Sequence, residues 1–193
     1  MTKALVLYAH PCGESFAAAL HSRVVDTLTG RGWQVDDCDL YAEGFNPVLS
    51  PQERRAYHDA ATNQSAVQSY VDRLRAVDAL ILSFPVWNFG YPAILKGYFD
   101  RVFLPGVSFH LDGGKVAPAL TNIKKLAAVT TYGGTRLRAF LAGDPPRKIV
   151  TRSLRFVAQV APTRYLALYD MNTASAAART AFLTRVGHAM ERL

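Results

Sequence analysis

The sequence predicts an α/β fold in which a five-stranded parallel sheet lies between two layers of helices. Apolar segments suited to strands alternate with segments of helical periodicity, which is typical of right-handed crossover connections. The strand segments are largely continuous apolar runs, as expected for strands that are buried on both faces. Five strands in this alternation fit the spatial order 2-1-3-4-5. The chain has 193 residues without an internal repeat or linker, which predicts a single domain over residues 1–193.

The elements follow in order along the chain. An apolar run predicts the first strand at residues 3–9, and further strands are predicted at residues 33–40, 79–84, 125–131 and 163–169. Helical spacing and capping residues predict helices at residues 15–30, 51–60, 64–75, 91–102, 146–160 and 173–192. The first helix is predicted from the spacing of Phe16, Ala19, Leu20, Val24 and Leu28. Glycine and proline residues predict irregular structure at 41–52 and a long excursion at 104–120.

The composition excludes several classes of protein. Hydrophobic residues make up 50% and charged residues 19% of the chain, which argues against disorder. No apolar run reaches the roughly 18 residues of a transmembrane helix, and the first residues resemble a strand more than a signal peptide. Cys12 and Cys38 supply neither a disulfide framework nor a metal set, and the histidines are dispersed. We therefore expect a cytoplasmic protein without a metal site.

The net charge of +7 raises the question of a nucleic-acid partner. The arginines are scattered through the second half of the chain and form no dense basic run. We therefore expect no nucleic-acid binding, and basic residues near a site could instead attract a small anionic ligand.

Three unusual loops follow the first, third and fourth predicted strands, at residues 10–16, 85–92 and 130–135. In the order 2-1-3-4-5 these strands are neighbours, and the loops at their carboxyl ends face one crevice. Ligands of open α/β sheets bind in such a crevice. The sequence therefore predicts one binding site built from all three loops.

The first loop suits a phosphate group. It ends at a predicted helix N-terminus, where free N–H groups and the helix dipole favour an anion. His10 and Ser15 add donors, although neither a Walker A pattern nor a G-x-G-x-x-G pattern is present. The alternative, with about equal support from this loop alone, is that Ser15 only caps the helix and His10 only occupies the turn.

The second loop suits a flat ring. Trp87 and Phe89 offer apolar faces, Asn88 can donate and accept hydrogen bonds, and Pro85 and Pro92 stiffen the backbone. The alternative is a hydrophobic plug beneath the following helix, because aromatic residues usually belong to the core.

The third loop combines hydroxyl groups with two glycines, in the run Thr130, Thr131, Tyr132, Gly133 and Gly134. Glycine lets backbone N–H groups approach a ligand closely. Taken alone, an ordinary turn is the stronger interpretation of this loop. Together, however, the three loops offer a phosphate site, a ring platform and an edge of donors, which is what a flavin mononucleotide or the flavin half of FAD requires.

The segment Pro85–Phe103, with the run P-A-I-L-K-G after the aromatic loop, resembles the flavodoxin-like-fold NAD(P)H:quinone oxidoreductases. This family includes quinone reductases, modulators of drug activity and FMN-dependent azoreductases, and the resemblance spans nearly the whole chain. It implies that His10, Ser15 and Phe16 hold the flavin phosphate. It also implies ring and ribityl contacts from Pro85, Val86, Trp87, Asn88 and Phe89, and a flavin-edge loop formed by Thr130, Thr131, Tyr132, Gly133 and Gly134.

The resemblance further implies two-electron, ping-pong hydride transfer from NAD(P)H to quinones or similar flat electrophiles. Trp87, Phe89 and Tyr132 would form the slot in which the substrate stacks. Members of the family are homodimers with active sites near the interface, so Phe109 is expected to reach the pocket of the partner subunit.

One departure from the family lies after the Gly-Gly turn. The best-known members carry a tyrosine and a histidine there, implicated in charge relay, whereas residues 135–147 contain no histidine. Tyr132 and backbone donors are expected to serve instead. The three arginines of this segment could bind an NADPH phosphate, and a solvated basic surface is an equally strong interpretation.

Several alternatives stay open at the level of the sequence. The same scaffold could carry azoreductase activity, or serve as a flavin-containing regulatory subunit that contacts a membrane transporter peripherally. A one-electron flavodoxin carrier is disfavoured by the positive net charge and by the absence of a T-x-T-G-x-T loop. FMN is favoured over FAD, while NADH, NADPH and the physiological acceptor are not distinguished.

Overall fold

The computed structural model describes residues 1–193 and contains one parallel sheet and one separate hairpin. The strands of the sheet are β1 (Lys3–Tyr8), β2 (Gln34–Asp39), β3 (Ala79–Val86), β6 (Lys125–Tyr132) and β7 (Thr163–Leu168). The hairpin consists of β4 (Phe109–Asp112) and β5 (Lys115–Pro118). The order in the sheet is β2-β1-β3-β6-β7. Counted among the five strands of the sheet alone, this is the predicted order 2-1-3-4-5.

Helices cover both faces of the sheet and complete the predicted three layers. The α-helices are α1 (Phe16–Gly30), α2 (Pro51–Ala56), α3 (Gln68–Arg75), α4 (Ala93–Val102), α5 (Arg136–Leu141), α6 (Pro145–Lys148), α7 (Arg155–Ala158) and α8 (Ala176–Glu191). A π-helical segment, Ile149–Leu154, joins α6 to α7, and short 3₁₀ helices span Ser65–Val67 and Met171–Thr173.

Each face of the sheet has its own hydrophobic core. Alternate residues of a strand point to opposite faces, so Leu5 and Leu7 belong to a cluster of 30 buried residues, which includes residues of α3 and α4. Ala4 and Val6 belong to a cluster of 14 buried residues, which includes residues of α1 and α8. Burial on both faces explains why the inner strands β1 and β3 are almost continuously apolar, whereas the edge strand β2 carries three aspartates.

The third strand extends further than the sequence predicted. β3 continues through Pro85 and Val86, which pair with Thr131 and Tyr132 of β6. Proline is tolerated here because the pairing of β3 with β1 ends at Ser83, so the absent N–H of Pro85 leaves no gap in that ladder. The predicted loop 85–92 is therefore shorter than expected, and α4 begins only at Ala93.

Other differences concern short elements. The hairpin β4–β5 and helix α5 were not predicted. The hairpin turn contains Gly113 and Gly114 with φ values of 54° and 79°, a conformation that glycine adopts without strain. In α1 the predicted apolar position Ala19 is exposed, and Ala17 is buried instead. No helix of the structure combines the length and apolar character needed to cross a membrane.

Candidate functional site

The carboxyl ends of β1, β3 and β6 surround a cavity of about 510 Å³. This volume lies within the usual range for small-molecule sites. All three predicted loops contribute to it. The predicted site residues that line it are His10, Ser15, Phe16, Pro85, Val86, Trp87, Asn88, Thr131 and Gly133.

At one end of the cavity, Ser15 caps helix α1. Its Oγ accepts a hydrogen bond of 3.1 Å from the N–H of Ala18, and its own hydroxyl proton stays available to a ligand. His10 Nδ1 lies 3.1 Å from the N of Cys12 and 3.3 Å from the O of Cys12, so the ring is held against the turn. The first turn of α1 contains no acidic residue to compete with a bound anion. The capping role of Ser15 and a phosphate site are therefore compatible.

The residues between β3 and α4 form a tight turn, which we call the aromatic turn (Trp87–Gly90). The N–H of Gly90 donates to Trp87 O at 2.8 Å, and the N–H of Trp87 donates to Gly90 O at 3.2 Å. Asn88 and Phe89 have φ values of 50° and 57°, the pattern of a type I′ turn. Trp87 and Phe89 are 41% and 40% exposed, so this turn is not a plug buried in the core.

The segment Tyr132–Gly134, which we call the glycine loop, lines a second cleft of about 190 Å³ together with Val86, Asn88 and Phe89. A Cβ atom on Gly133 would lie 3.2 Å from Asn172 Nδ2. Glycine at this position therefore lets the loop approach Asn172 closely.

The side chain of Tyr132 points away from solvent. The residue is 2% exposed, and its hydroxyl lies 2.6 Å from both Asp144 Oδ1 and the Tyr165 hydroxyl. Burial raises the pKa of Tyr132, and Tyr165 and Asp144 raise that pKa further. A catalytic role of this hydroxyl, as predicted, gains no support from its placement.

Two predicted residues, Thr130 and Phe109, lie outside both cavities. Alternate residues of a strand face opposite sides, so Thr131 lines the cavity whereas Thr130 is buried on the other face, where its Oγ1 has no hydrogen-bond partner. Phe109 lies half-buried in β4 opposite Pro118.

The structure also adds cavity residues that sequence reasoning missed: Ala17, Met171 and Asn172. Met171 and Asn172 follow β7, whose carboxyl end lies on the same edge of the sheet as the three predicted loops. The predicted fifth strand could have indicated that the residues after it lie at this edge of the sheet. They were overlooked because residues 170–172 contain no glycine-rich or aromatic pattern.

The three arginines after the glycine loop have different surroundings. Arg147 Nε donates to Asp144 Oδ2 at 3.0 Å, and its NH2 donates to the Tyr169 hydroxyl at 2.8 Å. Arg136 and Arg138 lie exposed on α5 and form no ion pair. Only these two are therefore free to attract an anionic ligand.

Comparison with known proteins identifies the family. The model of a family described as having a flavodoxin-like fold matches residues 2–186, and the chain belongs to this family. The protein resembles NAD(P)H dehydrogenase [quinone] 1 of Rattus norvegicus, with 32% identity over 148 residues that cover 68% of this chain and 54% of the relative. The chain thus spans little more than half the length of this curated relative. The predicted resemblance to the quinone oxidoreductases is confirmed.

Solved structures show the same fold over the whole chain. The Smu.1420 protein from Streptococcus mutans UA159 is 28% identical, with a TM-score of 0.87 and coverage of 100% of both chains. An FMN-dependent NADH-azoreductase from Bacillus anthracis, solved in complex with FMN, has a TM-score of 0.82 at 14% identity and covers 100% of this chain and 99% of its own. At that identity the second likeness concerns the fold alone.

Proposed function

We propose that this protein is a flavin-dependent NAD(P)H oxidoreductase that passes two electrons to quinones or similar flat electrophiles. The observation that carries the proposal is the cavity where the helix-capping Ser15, the aromatic turn and the glycine loop converge. The name of the rat relative and the FMN held by the Bacillus protein on the same fold support it.

The donors of the cavity fit a flavin mononucleotide. Ser15, His10 and the first N–H groups of α1 would hold its phosphate, with Phe16 beside them. Pro85, Val86 and Thr131 line the middle of the cavity and would contact the ribityl chain. The aromatic turn and the glycine loop would hold the ring. FMN is the proposed cofactor, and FAD stays the alternative.

A bound flavin would supply hydride chemistry, accepting from NAD(P)H and giving two electrons to the acceptor in a ping-pong sequence. Trp87 and Phe89 would form the walls of the stacking slot and keep water from the ring. The backbone N–H groups of Gly133 and Gly134 would donate to the ring edge, where negative charge develops on reduction. Arg136 and Arg138 would attract the anionic electron donor.

We propose further that the protein acts as a homodimer. Phe89 at the mouth of the second cleft and Leu137, Phe140 and Leu141 on α5 are 40%, 66%, 74% and 73% exposed, and a second copy could cover them. In such a dimer Phe109 would contribute to the pocket of the other subunit. Cys12 and Cys38 are both free thiols, which agrees with a cytoplasmic location.

The decisive experiment starts from the purified protein. Heating should release its cofactor, and chromatography should identify that cofactor as FMN. The protein should also reduce menadione with NADPH or NADH well above the rate that free flavin gives. A preparation that binds no flavin after reconstitution would exclude the proposal. Tight flavin binding without turnover would contradict the enzymatic part and favour a regulatory flavoprotein. Sedimentation of the same sample tests the dimer.

A further inference from the structure

The glycine loop rests on a partly buried polar cluster formed by three tyrosines, an aspartate and an arginine. We call it the tyrosine cluster, and its members are Tyr132, Asp144, Arg147, Tyr165 and Tyr169. Three segments that are distant along the chain meet in it: the end of β6, the start of α6 and the end of β7. The proposed electron transfer does not require a titratable group at any of these positions.

Asp144 connects the members of the cluster. Its Oδ1 accepts from the Tyr132 hydroxyl at 2.6 Å, and its Oδ2 accepts from Arg147 Nε at 3.0 Å. Its side chain is 13% exposed, so both hydrogen bonds are largely shielded from water. Asp144 also adopts a left-handed backbone with φ of 44°. Aspartate adopts this conformation more readily than most non-glycine residues, and here it precedes the first residue of α6.

Stacking closes the cluster on the other side. The rings of Tyr132 and Tyr169 lie 4.6 Å apart, and the Arg147 guanidinium lies 4.3 Å from the centre of the Tyr165 ring. Arg147 also donates to the Tyr169 hydroxyl at 2.8 Å. Tyr132 is therefore fixed at its hydroxyl and along its ring.

Because Gly133 follows Tyr132 directly, a fixed Tyr132 side chain also restricts the backbone of Gly133 at the cleft. On the far side, the O of Gly134 accepts from the N–H of Asp170 at 3.1 Å, next to Tyr169. The two glycine peptides are thus held between Tyr132 and Asp170. Glycine has no side chain to restrict its own backbone, so the direction of these N–H groups depends on the neighbours.

We propose that Asp144 is the positioning residue of the glycine loop, acting through the Tyr132 hydroxyl. Its carboxylate fixes the peptides of Gly133 and Gly134 in the direction in which they would donate to a ring edge. The part that concerns the flavin rests on the function proposed above, whereas the ordering of the loop does not.

The first test uses the ligand-free protein. ¹⁵N relaxation should give rigid order parameters of about 0.85 for Gly133 and Gly134 in the wild type. Tyr132→Phe and Asp144→Asn should each lower them towards the flexible range, below about 0.6. The double variant should add little, because both changes break the same connection. Tyr91→Phe is the matched control, since it removes a hydrogen bond of 2.7 Å to Pro146 O without touching Asp144.

The second test measures flavin binding by the same variants. Loss of an ordered donor should weaken binding of the reduced flavin about tenfold more than binding of the oxidised flavin. For a two-electron couple that difference lowers the midpoint potential by about 30 mV. A purely structural role of the cluster would lower the melting temperature and leave the potential unchanged.

The outcomes separate the two proposals. Unchanged order parameters in both variants, or equal changes in Tyr91→Phe, would overturn the role of Asp144. Changed order parameters with an unchanged potential would overturn the part that concerns the flavin. Should the wild type bind no flavin, the proposed function fails, while the relaxation data still decide whether Asp144 orders the loop.

Discussion

At one end of the cavity Ser15 is held by a hydrogen bond to Ala18, three residues away, whereas at the other end Tyr132 is held by Asp144 and Tyr165, 12 and 33 residues away. The first end is a helix cap, complete within one turn of chain. The second end exists only when β6, α6 and β7 have packed together. The two ends therefore differ in how far their geometry depends on the rest of the fold.

This difference determines what a substitution does. A change at the capped end alters local hydrogen bonds and the charge that a ligand meets, and leaves the core intact. A change in the tyrosine cluster removes hydrogen bonds between partly buried groups that come from distant parts of the chain, so stability and loop geometry change together. Four predictions test this contrast, beginning with the largest expected loss of stability.

Asp144→Ala should lower the free energy of unfolding by roughly 2 kcal/mol, because it removes one of the two hydrogen-bond partners of the Tyr132 hydroxyl and the ion-pair partner of Arg147. Urea unfolding measures the loss. The control is Asp26→Ala, which removes an exposed carboxylate that forms no ion pair or side-chain hydrogen bond. Equal losses in the two variants would show that the cluster does not stabilise the chain.

Alkaline pH should weaken the same cluster. Burial raises the pKa of Tyr132 and of Tyr165 above the ordinary value of 10.0. The folded chain then keeps protons that the unfolded chain releases, so this contribution is complete below about pH 10 and decreases as the pH rises further. Urea unfolding between about pH 8 and pH 11 should show a shallower decline in Tyr132→Phe than in the wild type. Parallel declines would contradict this assignment.

Ser15→Asp should separate the two roles of the capped end. Aspartate caps helices as well as serine does, so the free energy of unfolding should change by less than about 0.5 kcal/mol. Its negative charge should repel a phosphate and weaken flavin binding by about 10- to 100-fold. Ser15→Ala, the companion variant, should cost about 1 kcal/mol of stability through the lost cap. Unchanged flavin affinity in Ser15→Asp would place the phosphate elsewhere.

Trp87→Ala should have the smallest effect on stability, within about 0.5 kcal/mol, since the side chain is 41% exposed. Flavin should nevertheless bind about tenfold more weakly because a stacking face is lost. Phe156→Ala, at a 51% exposed position outside both cavities, serves as the matched control. Similar flavin affinity in the two variants would remove Trp87 from the proposed site.

The sequence predicted those features of the site that depend on neighbouring residues in the chain or on the order of the strands. The position of Ser15 before an apolar helical pattern predicted its cap, and the order of the strands predicted that three loops converge. The type I′ turn at Asn88 and Phe89 escaped prediction because phenylalanine is unusual at positive φ. The buried orientation of Tyr132 also escaped, since its partners Asp144 and Tyr165 are recognisable only after the sheet has formed.

The end of β3 was also mispredicted, because it depends on contacts between strands: β3 pairs with β6 beyond the point where its pairing with β1 ends. Proline usually ends a strand prediction, and Pro85 did so here. Only the register of three adjacent strands shows that β3 continues through Val86. Helix α5 was missed for a different reason, because six residues are too few for a periodic signal.

Asn88 and Phe89 of the aromatic turn both adopt a left-handed backbone. Selection for stability alone would favour glycine at position 89, since a strained backbone of this kind costs about 1–3 kcal/mol per residue. Retaining phenylalanine places an aromatic ring at the mouth of the cleft, on a turn whose backbone is already held by two hydrogen bonds. Association then loses less backbone freedom than it would with a mobile turn. Phe89→Gly should therefore be found readily in a selection for thermal tolerance and rarely in a selection for ligand affinity.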